Sequence, residues 1–209
     1  MGSTTVHALK DINLRIKKGE FLAIEGPSGS GKSTLLNIIG CIDSVTNGHV
    51  FISGINVTKL KERELTKIRL LKIGFIFQLF YLIPTLNAQE NIELPMREAK
   101  VPRNERRARV EKLLDMVGLS HRGHHYPNQL SGGERQRIAI ARSLSNEPEI
   151  LLADEPTGEI DRPTSNKILS IFKNLVETSD LTIILVTHDP KVASEAHRRI
   201  TIEDGRIVV

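Results

Sequence analysis

The sequence predicts an α/β fold with a parallel sheet and a helical insertion, on three observations. A continuous apolar run, Phe21-Leu22-Ala23-Ile24, leads into Gly26-Pro27-Ser28-Gly29-Ser30-Gly31-Lys32-Ser33-Thr34, and the helical run Leu35-Leu36-Asn37-Ile38-Ile39 follows. A second apolar run, Ile150-Leu151-Leu152-Ala153, ends in Asp154-Glu155. Between them, from about 79 to 145, helical periods dominate and no strand pattern is convincing. Short apolar runs bounded by turn residues are what strands buried on both faces of a parallel sheet look like.

The elements follow in order. Ile12, Leu14 and Ile16 alternate with polar residues, so 11–16 reads as a half-exposed strand that turns at Lys18-Gly19 into the buried one. The first helix stops near Gly40. Asn47-Gly48 and Ser53-Gly54 bracket a short strand around 50–52. A charged helix over 62–72 precedes an apolar strand over 73–77, which ends at Gln78. In the helical stretch Val110, Leu113, Leu114 and Val117 recur at i, i+3, i+4, i+7, and Pro95, Pro102 and Pro127 punctuate the helices. The expected organisation is one domain over 1–209, with 1–78 and 146–209 as the α/β core and 79–145 as an inserted helical subdomain. The core resumes at 150–153 and continues with a helix burying Ile168, Ile171, Phe172 and Leu175. A strand over 182–186, a short helix after Pro190 and a hairpin turning at Asp204-Gly205 complete it.

The stretch 26–34 matches G-x-x-x-x-G-K-[ST] in the strand-loop-helix setting that this phosphate-binding pattern requires. The glycines let successive N–H groups point inward, and the following helix aims its positive end at the same anion. Lys32 is expected to reach the β- and γ-phosphates of a nucleotide, with the Ser33 hydroxyl on Mg²⁺. Asp154 is placed to hold Mg²⁺, and Glu155 to orient and deprotonate an attacking water. A third stretch, Leu130-Ser131-Gly132-Gly133-Glu134-Arg135-Gln136-Arg137, places a helix cap beside two glycines, which makes a second anion-binding helix start.

That third stretch resembles the signature sequence of ABC ATPases, the nucleotide-binding subunits of ATP-binding-cassette transporters. The other family elements stand in the matching order: the phosphate loop 26–34, Gln78 where the glutamine loop begins, Asp154-Glu155, the loop 158–161 ending in Asp161, and His188 within Thr187-His188-Asp189. The resemblance covers essentially the whole chain. It implies an ABC-ATPase core of the P-loop NTPase type, with an N-terminal β subdomain and an inserted α-helical subdomain. It also implies a head-to-tail homodimer that sandwiches two ATP molecules, each between one phosphate loop and the other subunit's Ser131-Gly132-Gly133. By the same resemblance His188 contacts the γ-phosphate, and Gln78 touches Mg²⁺ and relays the state of the site into the helical subdomain. The stretches Phe77-Gln78-Leu79-Phe80-Tyr81-Leu82-Ile83-Pro84 and Asn37-Ile38-Ile39-Gly40 resemble the branch serving lipoprotein release and macrolide export. There the ATPase pairs with a separate transmembrane permease subunit. Phe80, Tyr81, Leu82 and Ile83 would then suit a groove that receives a membrane-protein helix.

Two departures from the family pattern stand out. No Tyr, Phe or Trp precedes Phe21, so an aromatic to stack on adenine is missing and base selectivity is expected to be relaxed. Gly158-Glu159-Ile160-Asp161 carries a carboxylate where the family has a small or neutral residue, which is expected to weaken closure at the dimer seam.

Composition sets the remaining bounds. Hydrophobic content of 39% and charged content of 26% are ordinary for a globular domain, and the net charge of +4 demands neither lipid nor nucleic acid. No nucleic-acid partner is expected. No apolar run approaches a membrane span and no signal peptide opens the chain, so it is expected in the cytoplasm, peripheral to the inner face of the membrane through its permease. The opening Met1-Gly2-Ser3 reads as an artificial start. Cys41, the single cysteine, is expected as a buried, inert thiol. His121, His124 and His125 read as an exposed loop, and Arg103, Arg106, Arg107 and Arg109 as a solvated basic face.

Overall fold

The computed structural model describes residues 7–208, so the reading of Met1-Gly2-Ser3 lies outside the described residues. The strands are β1 (Phe21–Glu25), β2 (Phe51–Ile52), β3 (Ile55–Asn56), β4 (Ile73–Ile76), β5 (Ile150–Asp154), β6 (Thr182–Val186), β7 (Arg198–Glu203) and β8 (Arg206–Ile207). The helices are α1 (Lys32–Ile39), α2 (Glu62–Lys72), α3 (Ala88–Glu98), α4 (Arg103–Met116), α5 (Gly132–Ser143), α6 (Arg162–Ser179) and α7 (Pro190–Ala193). One sheet has the order β4-β5-β6-β1-β7-β8, parallel throughout except for the antiparallel β7–β8 hairpin. The pair β2–β3 stands apart as a small antiparallel hairpin.

A parallel sheet must be covered on both faces, and the two-residue period of its strands divides the core accordingly. Phe21, Ile76, Leu151, Ala153, Ile183 and Leu185 face side chains of α3 to α6, among them Ile92, Met96, Val110, Ile138 and Phe172. Their strand neighbours Leu22, Ile24, Leu152, Ile184 and Val186 face Leu35 and Leu36 of α1 and Ile68 of α2. Phe21 and Phe172 meet edge to face with ring centroids 6.4 Å apart, locking β1 to α6. The helices within 79–145 therefore share their core with one face of the sheet.

Four expectations need correction. Residues 11–16 are not a strand: Ile12, Leu14 and Ile16 do pack on the core while Asn13 and Arg15 face water, but no ladder holds the segment among the described residues. Alternation records which side is buried and leaves open whether a partner strand lies alongside. Pro95 lies inside α3 rather than between helices. Without an N–H it cannot make the i→i−4 bond to the Asn91 carbonyl, so the hydrogen-bond ladder of α3 is broken there. On α6 the deepest side chains are Ile168, Leu169, Phe172 and Val176, with Ile171 and Leu175 only partly buried. Finally, two of the four arginines at the start of α4 are not solvated. Arg106 binds Glu93 at 2.6 Å and the Val101 carbonyl at 2.6 Å, and Arg109 binds the Ser145 carbonyl at 3.0 Å. Cys41 is buried as expected, and burial pushes its thiol pKa up.

Candidate functional site

Strand order builds the site. Because β4, β5, β6 and β1 are adjacent and parallel, the loops after their carboxyl ends open side by side on one edge of the sheet. Those loops carry Gln78, Asp154-Glu155, Thr187-His188 and the phosphate loop 26–31 respectively. Together they line a cleft of 770 Å³ that holds Lys32, Ser33, Gln78, Asp154, Glu155 and His188. Ser28, Gly29, Gly31 and Thr34 line it as well.

In the phosphate loop, Gly26 has φ 144° and a Cβ there would stand 2.1 Å from the Ile202 carbonyl, so no other residue fits. Gly31 has φ 105° and starts α1 without any side-chain cap, leaving the first N–H groups of the helix to a ligand. Pro27 is exposed, and buried Ser30 accepts the Gly205 N–H at 3.0 Å, tying the loop to the final hairpin. Lys32 is buried and its Nζ donates to the Gly26 and Pro27 carbonyls at 2.9 and 2.8 Å. That leaves one ammonium proton for a phosphate oxygen.

Two side-chain pairs line the cleft with this loop, and a third joins Gln78 to Glu159. Ser33 Oγ donates to Asp154 Oδ1 at 3.3 Å. Burial holds the Asp154 carboxyl above its ordinary range, with the neighbouring Glu155 charge adding to the rise and Ser33 and Lys32 opposing it. Glu155 takes a positive φ of 47° and is pinned there by its N–H on the Val186 carbonyl at 3.0 Å. Its Oε1 lies 2.8 Å from His188 Nδ1. A carboxylate only accepts, so this ring nitrogen carries the proton. Gln78 Nε2 donates to Glu159 Oε1 at 3.1 Å.

The other predicted residues lie elsewhere. Ser131, Gly132 and Gly133 begin α5 outside the cleft lining, with Ser131 Oγ accepting the Glu134 N–H at 3.2 Å and Glu134 Oε2 accepting the Ser131 N–H at 2.8 Å. Asp161 caps α6 by accepting the Thr164 N–H at 3.3 Å, and that bonding lowers its pKa. His7 lines the cleft near the start of the chain, and no Tyr, Phe or Trp joins it among the described lining residues.

Sequence reading missed the clamps behind the site. Gln136 is fully buried and its Nε2 donates to the Pro156 carbonyl at 2.8 Å and to Phe77 at 3.4 Å, so α5 grips both the Asp154-Glu155 loop and the Gln78 loop. Arg142 donates to the Phe80 carbonyl at 3.0 Å and to Tyr81 at 2.5 Å. Only the spacing Gln136, Ala139, Ile140 on one buried helix face hinted that this amide points inward.

Comparison with known proteins agrees with this geometry. A family model described as ABC transporter matches residues 9–158. An ABC transporter ATP-binding protein of Methanocaldococcus jannaschii, MJ0796, is 52% identical over 99% of this chain and 90% of its own length. YvrO of Bacillus subtilis, another ABC transporter ATP-binding protein, is 50% identical over 100% of this chain and 91% of its own. The macrolide export ATP-binding/permease protein MacB of Hyphomonas neptunium is 49% identical over 99% of this chain, which spans only 32% of MacB. Among solved structures, the dimeric post-hydrolysis state of the cassette MJ0796 bound to ADP and Pi superposes with a TM-score of 0.93 at 50% identity, covering 100% of this chain and 92% of that one.

Proposed function

Because this chain belongs to the ABC transporter family as an ATP-binding member, we propose that it binds and hydrolyses ATP to power a membrane transporter, and that this transporter is an exporter. The observation that carries the reading is the gathering of Lys32, the Ser33–Asp154 pair, the Glu155–His188 pair and Gln78 along one edge of the sheet.

The Ser33–Asp154 pair suits a divalent cation: both groups offer hard oxygens, and a carboxylate held up by burial gains from a nearby positive charge. Ser33, Asp154 and Gln78 would hold Mg²⁺, which neutralises phosphate charge when bound. The protein's own groups do the rest. Backbone N–H groups of the phosphate loop and the Lys32 ammonium fix the β- and γ-phosphates. Glu155 takes a proton from the attacking water, and His188 Nδ1 holds the Glu155 carboxylate in place.

Ser131, Gly132 and Gly133 serve the partner subunit's nucleotide in a head-to-tail homodimer. Their position outside the cleft supports this, as does the dimeric state of the MJ0796 cassette. Asp161 acts at the same seam, on the loop between Glu155 and α6. A separate permease docks beside Gln78, where Leu79 and Tyr81 are 59% and 63% exposed while Arg142 clamps the backbone at Phe80 and Tyr81. MacB supports the pairing, since its name joins an ATP-binding and a permease part in one chain. Among the described residues no helix is long and apolar enough to cross a membrane. Membrane association, at the inner face, runs through that permease.

The test is sedimentation of Glu155→Gln with and without ATP, beside phosphate release by the wild type. An ATP-dependent shift from monomer to dimer with measurable wild-type turnover is expected. Monomer at saturating ATP would remove the sandwich from the proposal.

A further inference from the structure

The loop after Glu155 folds back on the Gln78 loop. Gly158 N–H closes a turn on the Glu155 carbonyl at 3.1 Å, and a Cβ on Gly158 would stand 3.4 Å from Gln78 Nε2. Gln136 holds Pro156 in the same turn. The turn delivers the Glu159 carboxylate to the Gln78 carboxamide, Nε2 to Oε1 at 3.1 Å. Gln78 lines the phosphate cleft, and Glu159 is not among the residues that line it.

A carboxamide has one donating end and one accepting end, whereas an ionised carboxylate can only accept. Glu159 therefore selects the nitrogen end, whichever way the amide would otherwise turn. Oε1, the only atom of this side chain able to face a cation, is left unpaired by that choice. We propose that Glu159 is a positioning residue that fixes Gln78 with its oxygen available to the phosphate cleft, in the way that hydrogen-bond partners behind metal ligands orient them. The expectation for a bare carboxylate at a dimer seam has the opposite sign, because there Glu159 would only hinder closure. The inference rests on the reading of Gln78 as a cation-facing residue.

The experiment uses Mn²⁺ as the probe, followed by its electron paramagnetic resonance signal, with ATP and the Glu155→Gln protein to prevent turnover. Sedimentation of the same samples reports dimer formation separately. Glu159→Ala is expected to weaken Mn²⁺ retention about tenfold. Gln78→Ala should weaken it to a similar degree, and the double variant no further. Glu159→Gln, whose amide can pair with either end of Gln78, should fall between Glu159→Ala and the parent. The proposal is overturned if Glu159→Ala retains Mn²⁺ as well as the parent, or if the double variant loses the sum of the two effects. It is likewise overturned if Glu159→Ala only tightens the dimer, which would leave seam repulsion as the role of this carboxylate. If Gln78→Ala changes nothing, the reading of Gln78 falls and the proposal with it. If Mn²⁺ retention behaves as expected but no variant dimerises with ATP, the positioning role stands and the sandwich mechanism fails.

Discussion

α1 begins at Gly31 with no side-chain cap, whereas α5 begins at Ser131 inside a full capping box. Both starts carry glycines and both aim a positive helix end outward, yet they solve the problem of unpaired N–H groups differently. At α1 the donors stay free and Lys32 and Asp154 converge beside them, so this start is completed by a ligand inside its own cleft. At α5 the Ser131 and Glu134 side chains each take one N–H, and Arg122 Nε anchors Glu134 at 3.0 Å. This end is stable before any anion arrives. In the proposed head-to-tail dimer the Ser131 hydroxyl proton and the Gly132 and Gly133 N–H groups would serve a phosphate held by the other subunit. The capped start satisfies its N–H groups within the chain, and the uncapped one leaves them for a ligand.

The sharpest way to break this contrast is complementation. Lys32→Ala should lower kcat by about 10²–10³-fold through loss of phosphate stabilisation. Gly132→Asp puts a negative charge at the other start, and it should fold, since the nearest atom to a Cβ there is 3.8 Å away. If the starts serve each other in trans, an equal mixture of the two inactive proteins regains roughly a quarter of wild-type phosphate release, from mixed dimers with one intact site. A mixture that stays inactive would place the α5 start outside the partner's site.

Next in size is the link between the two regions. Gln136→Leu leaves the Pro156 carbonyl without its buried donor and should cost about 1–3 kcal/mol in denaturant unfolding. Its kcat should fall with KM for ATP nearly unchanged, because the phosphate loop itself is untouched. Ser131→Ala tests the cap: about 1 kcal/mol is expected, or about 2–4 °C in Tm for a chain of this length.

The smallest effect has the opposite sign. The folded-state pKa of Asp154 is raised, so its contribution to stability is fully present below its ordinary value of 3.8 and is lost as pH rises through the raised value. Asp154→Asn is neutral at every pH. Without nucleotide or metal it should melt higher than the wild type at pH 7, and the gap should close as pH falls toward 4. A gap that widens in acid would show that Asp154 is stabilised, not strained, in its place beside Glu155.

Much of this was legible in the chain. The strand read at 21–24, the helix read at 35–39 and the strand read at 150–153 are local patterns that the structure extends by one to three residues, because apolar period and glycine placement act within a few positions. The same holds for Ser131, whose cap on Glu134 is three residues away. What could not be read are contacts made across long separations. Residues 11–16 have the alternation of a strand but no ladder, since pairing depends on a neighbour that alternation does not specify. Arg106 and Arg109 looked like a solvated face until Glu93 and the Ser145 carbonyl came within reach of them.

By itself the sequence determined the family, the phosphate loop and which carboxylates stand at strand ends, because each is written in adjacent residues. The resemblance assigned Gln78, Asp154-Glu155 and His188 to one ATP site, and the strand order β4-β5-β6-β1 is how the tertiary structure brings them into one cleft. Tertiary structure alone turned Glu159 onto Gln78 and Gln136 onto Pro156. Strand order and long-range hydrogen bonds are settled by how whole layers pack, and no short window of residues carries that information.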